Sequence, residues 1–174
     1  MDGAAFNNEL ELLLGTLRRR NPVLDDIEFS ARLDGIVGGA DGARDEAAVQ
    51  LLTGHRLLSK YCERDALAAF AAAGGQLAPL LQESPDDGAL NELAALIVEG
   101  QTEAHYLLGD YQLAGDLASQ LWTRRMSTAE LRAKARAATW VGCIQQQTGR
   151  YQDGLRMLGR AVADFELAGA PAEQ

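Results

Sequence analysis

Leu10, Leu13, Leu14 and Leu17 recur at the i, i+3, i+4, i+7 spacing that gathers apolar side chains on one face of an α-helix. Leu131, Ala135, Ala138, Val141 and Gln145 trace a second stripe of that period, and Leu155, Leu158, Val162 and Phe165 a third. The sustained period-two alternation of a half-buried strand is absent. Capping chemistry marks helix starts. Ser84-Pro85-Asp86-Asp87 offers an N-cap Ser, Pro at the first helical position and acids in the first turn. Ser127-Thr128-Ala129-Glu130 has the spacing of a capping box, in which Ser and Glu each satisfy the other's free amide. These signals predict helices over 5–20, 22–37, 43–62, 64–82, 86–108, 110–125, 128–148 and 150–168. The expectation is an all-α fold of four antiparallel pairs.

One phrase occurs twice. Gly109-Asp110-Tyr111 is followed by Ala114, and Gly149-Arg150-Tyr151 by Gly154, an offset of 40 residues. Gly takes the left-handed conformation that closes a helix C-terminus, and the Tyr begins the next helix and packs back on the first. Sets of small and apolar residues bracket both phrases and recur once before them. Gly142, Gly154, Leu158 and Ala161 form one set, Gly54, Ala66, Phe70 and Ala73 another, and Thr102, Ala114, Ala118 and Leu121 a looser third. Gly15, Ile27, Ala31 and Asp34 match only weakly.

These sets resemble the tetratricopeptide repeat, whose pattern is a small residue, twelve on an Ala, four on an aromatic or large apolar residue, and three on another Ala. The resemblance covers residues 43–168 and implies an α-α superhelix of stacked hairpins. The small residues are spaced 39, 48 and 40 apart, against ~34 in the usual unit. Long helices follow from that, and the 48 implies an insertion, placed between Gly74-Gly75 and Asp87. The organisation expected is an N-terminal helix pair over 1–42, three repeat-like pairs over 43–169, and a tail or linker over 170–174.

Composition narrows the function classes. Hydrophobic residues make up 47% of the 174 and charged residues 24%, values of a globular domain rather than a disordered one. The formal net charge of −9 repels phosphate and argues against nucleic acid as a partner. Arg18, Arg19 and Arg20 close the first helix, where cations favour the dipole. Arg124, Arg125, Arg132, Lys134 and Arg136 read as a solvated basic face or, as the sharper alternative, part of a groove for an acidic partner. Cys62 and Cys143 are expected to be reduced and buried or half-buried. Asp2, Glu9 and Glu11 interrupt any signal-peptide core. No run reaches the ~18 apolar residues of a membrane helix, so the expected compartment is the cytoplasm.

Candidate chemistry is sparse. His55 and His105 lack neighbours at ligand spacing, so neither a metal nor another cofactor is expected. Gly38-Gly39-Ala40-Asp41-Gly42 lacks the Lys-Ser/Thr of a phosphate loop and reads as a flexible link. The acids of Asp25-Asp26 with Glu28, and of Asp86-Asp87, fall at predicted helix starts, where negative charge is favoured. Ser59 lies one turn from His55, a common spacing that does not define a nucleophile. The chain itself is not expected to be an enzyme.

The resemblance implies a binding surface, lined by the first helix of each pair. Carried over by position, it comprises Leu51, His55, Leu58 and Ser59, then Glu99, Glu103, Tyr106 and Leu107, then Thr139, Cys143, Gln146 and Gln147. Arg136 flanks the same face. The core candidates are His55, Ser59, Glu99, Glu103, Tyr106, Arg136, Thr139, Cys143 and Gln146. Such a groove takes a peptide, a protein or a second copy. The long units are similar to the N-terminal sensor arrays of bacterial signalling proteins, including those preceding diguanylate cyclase or transcriptional output domains. That similarity implies a regulatory module of a longer protein. A free-standing adaptor or chaperone and an enzyme with a cryptic site are the alternatives. The apolar Val162, Phe165 and Leu167 on the last helix point to a continuing chain, since a finished solenoid usually ends on a polar face, with a plain C-terminal tail as the alternative; in a truncated solenoid Val162 and Phe165 could pair two copies.

Overall fold

The computed structural model describes residues 3–19 and 26–169. Among them are eight α-helices and no strand: α1 (Gly3–Arg19), α2 (Asp26–Ile36), α3 (Ala43–Ser59), α4 (Glu63–Glu83), α5 (Gly88–Leu107), α6 (Tyr111–Met126), α7 (Leu131–Gln147) and α8 (Tyr151–Leu167). The chain divides into two compact units, Met1–Gly100 and Gln101–Gln174, with the division inside α5. Arg20 and Asp25 lie outside the described residues, as does the 170–174 tail.

In the first unit, the α1 stripe is buried as its period predicts: Leu10, Leu13 and Leu14 are at most 5% exposed. They pack, with Phe6, where α1 meets α2 and α3. Arg32 of α2 reaches Glu9 of α1 at 3.0 Å, and Arg56 of α3 pairs with Asp34 of α2. The weak motif match of this pair has a structural counterpart. Ile27, Ala31 and Asp34 all face solvent, and α2 buries Leu33 and Ile36 instead. The link before α3 is fastened to the first helix, since a Cβ on Gly39 would lie 3.0 Å from Phe6 Cδ2.

From α3 onward the helices follow one register. Tyr61, Gly109 and Gly149 stand seven residues after Gly54, Thr102 and Gly142, and all three have positive φ: 57°, 81° and 80°. Their amides donate to the carbonyls of Leu58, Tyr106 and Gln146 at 3.0–3.1 Å. The amides that follow donate to Leu57, His105 and Gln145 at 2.8–3.0 Å. This is one Schellman closure made three times. Of the twelve motif positions in these pairs, all are buried except Leu158, which is half-buried.

The offset of 48 has a different origin from the insertion expected. Helix α4 runs unbroken through Gly74, Gly75 and Pro79 to Glu83. It has 21 residues against 16 in α6, and α5 has 20 against 17 in α7. Those five and three extra residues account for the whole difference between 48 and 40. The lengthening is helical because Ala and Leu continue the α4 pattern past the glycines. Pro79 removes one amide, at an exposed position of the helix.

Both predicted caps are corrected. Ser84 closes α4, its amide donating to Leu80 O. The α5 N-cap contact comes from Asp87, whose Oδ1 accepts from the amides of Ala89 (2.8 Å) and Leu90 (3.1 Å). The capping box does not form: α7 begins at Leu131, Ser127 Oγ donates backwards to Arg124 O, and Thr128 Oγ1 accepts from the Glu130 amide. The basic face is corrected as well. Arg125 is 4% and Arg136 8% exposed, so two of its five members are buried.

Candidate binding surface

Two kinds of close contact position the helices that would carry the surface. In the first unit, Phe70 of α4 is fully buried between Gly54 of α3 and Gly100 of α5. A Cβ on either glycine would overlap the ring. In the second unit the contact is between backbones. A Cβ on Gly154 would lie 2.8 Å from Gly142 O, and one on Gly142 would lie 2.8 Å from Leu158 Cγ.

The nine candidate residues divide between the units. His55, Ser59 and Glu99 belong to the first. His55 is half-buried, its ring edge-on to Phe70 at 5.3 Å and 73°. Ser59 is exposed, its Oγ donating to Arg56 O at 2.8 Å. Glu99 is only 3% exposed, a carboxylate on a stretch of α5 where Leu93, Leu96 and Ile97 are also buried.

Glu103, Tyr106, Arg136, Thr139, Cys143 and Gln146 belong to the second unit, and all but the buried Arg136 are half-buried. Thr139 Oγ1 donates to Ala135 O at 2.9 Å, within its own helix. Burial pushes the Cys143 thiol pKa up. Both cysteines are free thiols and half-buried, as expected. The Gln146 stem lies over the space left by Gly154.

Tyr106 is the hub of this set. Its ring meets Trp140 at 5.8 Å and Tyr111 at 5.6 Å, both edge-on. Its Oη accepts from Gln147 Nε2 at 3.3 Å. Beneath it Ala114, Ala118 and Ile144 form a small core that Tyr106, Trp140 and Val141 cover. The last turn of α5 and the outer part of α7 thus share a face with two partly open aromatic rings. The packing of Tyr111 on Tyr106 is the contact the repeated phrase predicts, whereas Tyr151 stays 65% exposed. Trp140 was not among the residues singled out from sequence. It lies two residues before Gly142, on a flank of α7 that the apolar stripe does not mark.

Among the described residues no group of three His, Cys, Asp or Glu is arranged to hold a metal ion, and no helix is long and apolar enough to cross a membrane. An open depression at the α5–α6 turn is lined by Asp110, Tyr111, Leu113 and Asp116, with Asp110 Oδ2 3.4 Å from His105 Nδ1. Comparison with protein-family models, curated proteins and solved structures returns no match for this chain.

Proposed function

We propose that the chain is a tetratricopeptide-like interaction module with a regulatory role in a signalling protein. It holds a segment of a partner protein against the face bearing Glu103, Tyr106, Trp140, Thr139 and Cys143. The observation that carries this reading is the half-exposed Tyr106–Trp140 pair, fixed between helices that occupy equivalent places in successive hairpins. Partly exposed Tyr and Trp with few rotamers to lose are the side chains that most often anchor a partner. Glu103 and Gln146 beside them supply charge and hydrogen bonding for register.

The test uses the whole chain as bait, beside Tyr106→Ala and Glu103→Arg. The expected result is that proteins retained by the parent chain are lost from both variants, while helicity and thermal midpoint stay close to the parent's. Retention of the same proteins by both variants would overturn the reading.

A further inference from the structure

Helix α8 carries large apolar side chains that stay exposed among the described residues, beside Leu158, which meets Gly142 of α7. Tyr151, Leu155 and Val162 are 65%, 56% and 46% exposed. With the half-buried Leu158 and Phe165 they recur at intervals of four, three, four and three residues. That is the a/d spacing of a helix that pairs along a seam. The other flank, Gly154 and Ala161, is buried, and Gly154 meets α7.

We propose that this face docks on the same face of a second copy of the chain, the two α8 helices running antiparallel about a two-fold axis beside Gly159. The surface is complementary to itself in that orientation. Leu155 and Val162 lie at equal distances on either side of the point midway between Leu158 and Gly159. A two-fold axis there sets each Leu155 against the other copy's Val162. The same operation sets Tyr151, whose hydroxyl can donate, against Glu166, an exposed carboxylate with no ion-pair partner among the described residues. Gly159 has no atom within 4 Å of where a Cβ would be, so two backbones can approach closely at the crossing.

Charge favours a second copy over a strongly charged partner. The chain has net charge −9, yet Arg150 to Leu167 is balanced. Its three arginines, Arg150, Arg156 and Arg160, are matched by three acids, Asp153, Asp164 and Glu166. Arg150 and Arg156 pair with Asp153, and Arg160 with Asp164, so two such helices meet without net repulsion, and antiparallel pairing opposes their dipoles. A 17-residue helix is about 26 Å long at 1.5 Å per residue. One such seam is smaller than the ~800 Å² per partner of a standard stable interface. The proposed dimer is therefore a weak, reversible one. This inference stands on α8 alone and is independent of the Tyr106 face.

The test is sedimentation of the whole chain from low micromolar to sub-millimolar concentration, with circular dichroism to confirm folding. The parent chain should pass from monomer to dimer across that range. Leu155→Glu and Val162→Glu, at exposed positions, should remain folded and monomeric throughout. Gly159→Glu and Gly159→Lys sharpen the test, because a charge beside a two-fold axis faces its own copy. Both signs should weaken the dimer at least tenfold. A parent chain that stays monomeric throughout overturns the proposal, since the face would then belong to another partner. So does a dimer that survives Leu155→Glu and Val162→Glu, or one weakened by only one sign of charge at position 159.

Discussion

The α3–α4 and α7–α8 pairs put small residues at the same positions and use them for different contacts. Gly54 leaves a slot for a ring. Phe70 fills it, reaches Gly100 of α5 beyond, and meets the edge of His55. Gly142 and Gly154 instead bring two backbones together, and the side chain at the Phe70 position, Leu158, is only half-buried. A shared pattern therefore fixes where helices touch without fixing what touches. In the first pair every near neighbour is the ring, which could yield to a substitution, whereas in the second a carbonyl oxygen that cannot be trimmed stands beside the side chains of Leu158 and Gln146.

Removing the ring gives the largest effect. Phe70→Ala empties the slot between two glycines, neither of which has a side chain to refill it. The loss should be about 3–5 kcal/mol in denaturant-unfolding free energy. The matching change in the other pair, Leu158→Ala, should cost clearly less, since Leu158 is half-exposed. Equal losses would mean that the α3–α4 pair does not depend on its ring.

The glycines separate the two designs. Gly54→Ala and Gly154→Ala should each destabilise by about 1–3 kcal/mol through overpacking, offset in part by the better helix propensity of Ala, worth up to about 1 kcal/mol. Adding Phe70→Leu to Gly54→Ala should recover part of the loss, because the smaller side chain vacates the space the methyl takes. Adding Leu158→Ala to Gly154→Ala should recover nothing, because the obstacles are Gly142 O and Gln146 Cγ, both at 2.8 Å, and not Leu158. The readout is the coupling energy of two double-mutant cycles. Coupling of one sign and size in both would erase the distinction.

What was legible in the sequence follows from the same contrast. The offsets of 40 and 48 gave the hairpin register correctly, because Gly54, Gly142 and the turn glycines are held by sterics that leave few alternatives. The location of the extra residues was not legible. Gly74-Gly75 and Pro79 read as punctuation, yet tertiary packing of Ala73 and Leu77 carries α4 straight through them. The caps failed for a related reason. Ser84 and Asp87 both suit an N-cap, and only the three-dimensional start of α5 selects the carboxylate. Of the nine candidate residues, Glu99 and Arg136 turned out buried, and Trp140 went unnoticed. Positions carried over from a repeat pattern say which side of a helix a residue lies on, but not how deeply its neighbours cover it.

The smallest expected effect compares the two turns. Gly149 ends α7 at φ 80°, and Tyr61 ends α3 at φ 57° with the same pair of closing hydrogen bonds. An L-residue in that region is strained by about 1–2 kcal/mol, and Tyr61 gains little in return, being 84% exposed. Glycine relieves the strain but adds freedom to the unfolded chain, a loss of about 0.5–1 kcal/mol. Tyr61→Gly should therefore stabilise the fold by up to about 1 kcal/mol, the difference of those two terms. The reverse change, Gly149→Ala, should destabilise α7–α8 by a similar amount, read as opposite shifts of the unfolding midpoint. If Tyr61→Gly lowers the midpoint, the Tyr61 ring stabilises the α3–α4 turn despite its exposure, and the two turns are not equivalent in the way their hydrogen bonds indicate.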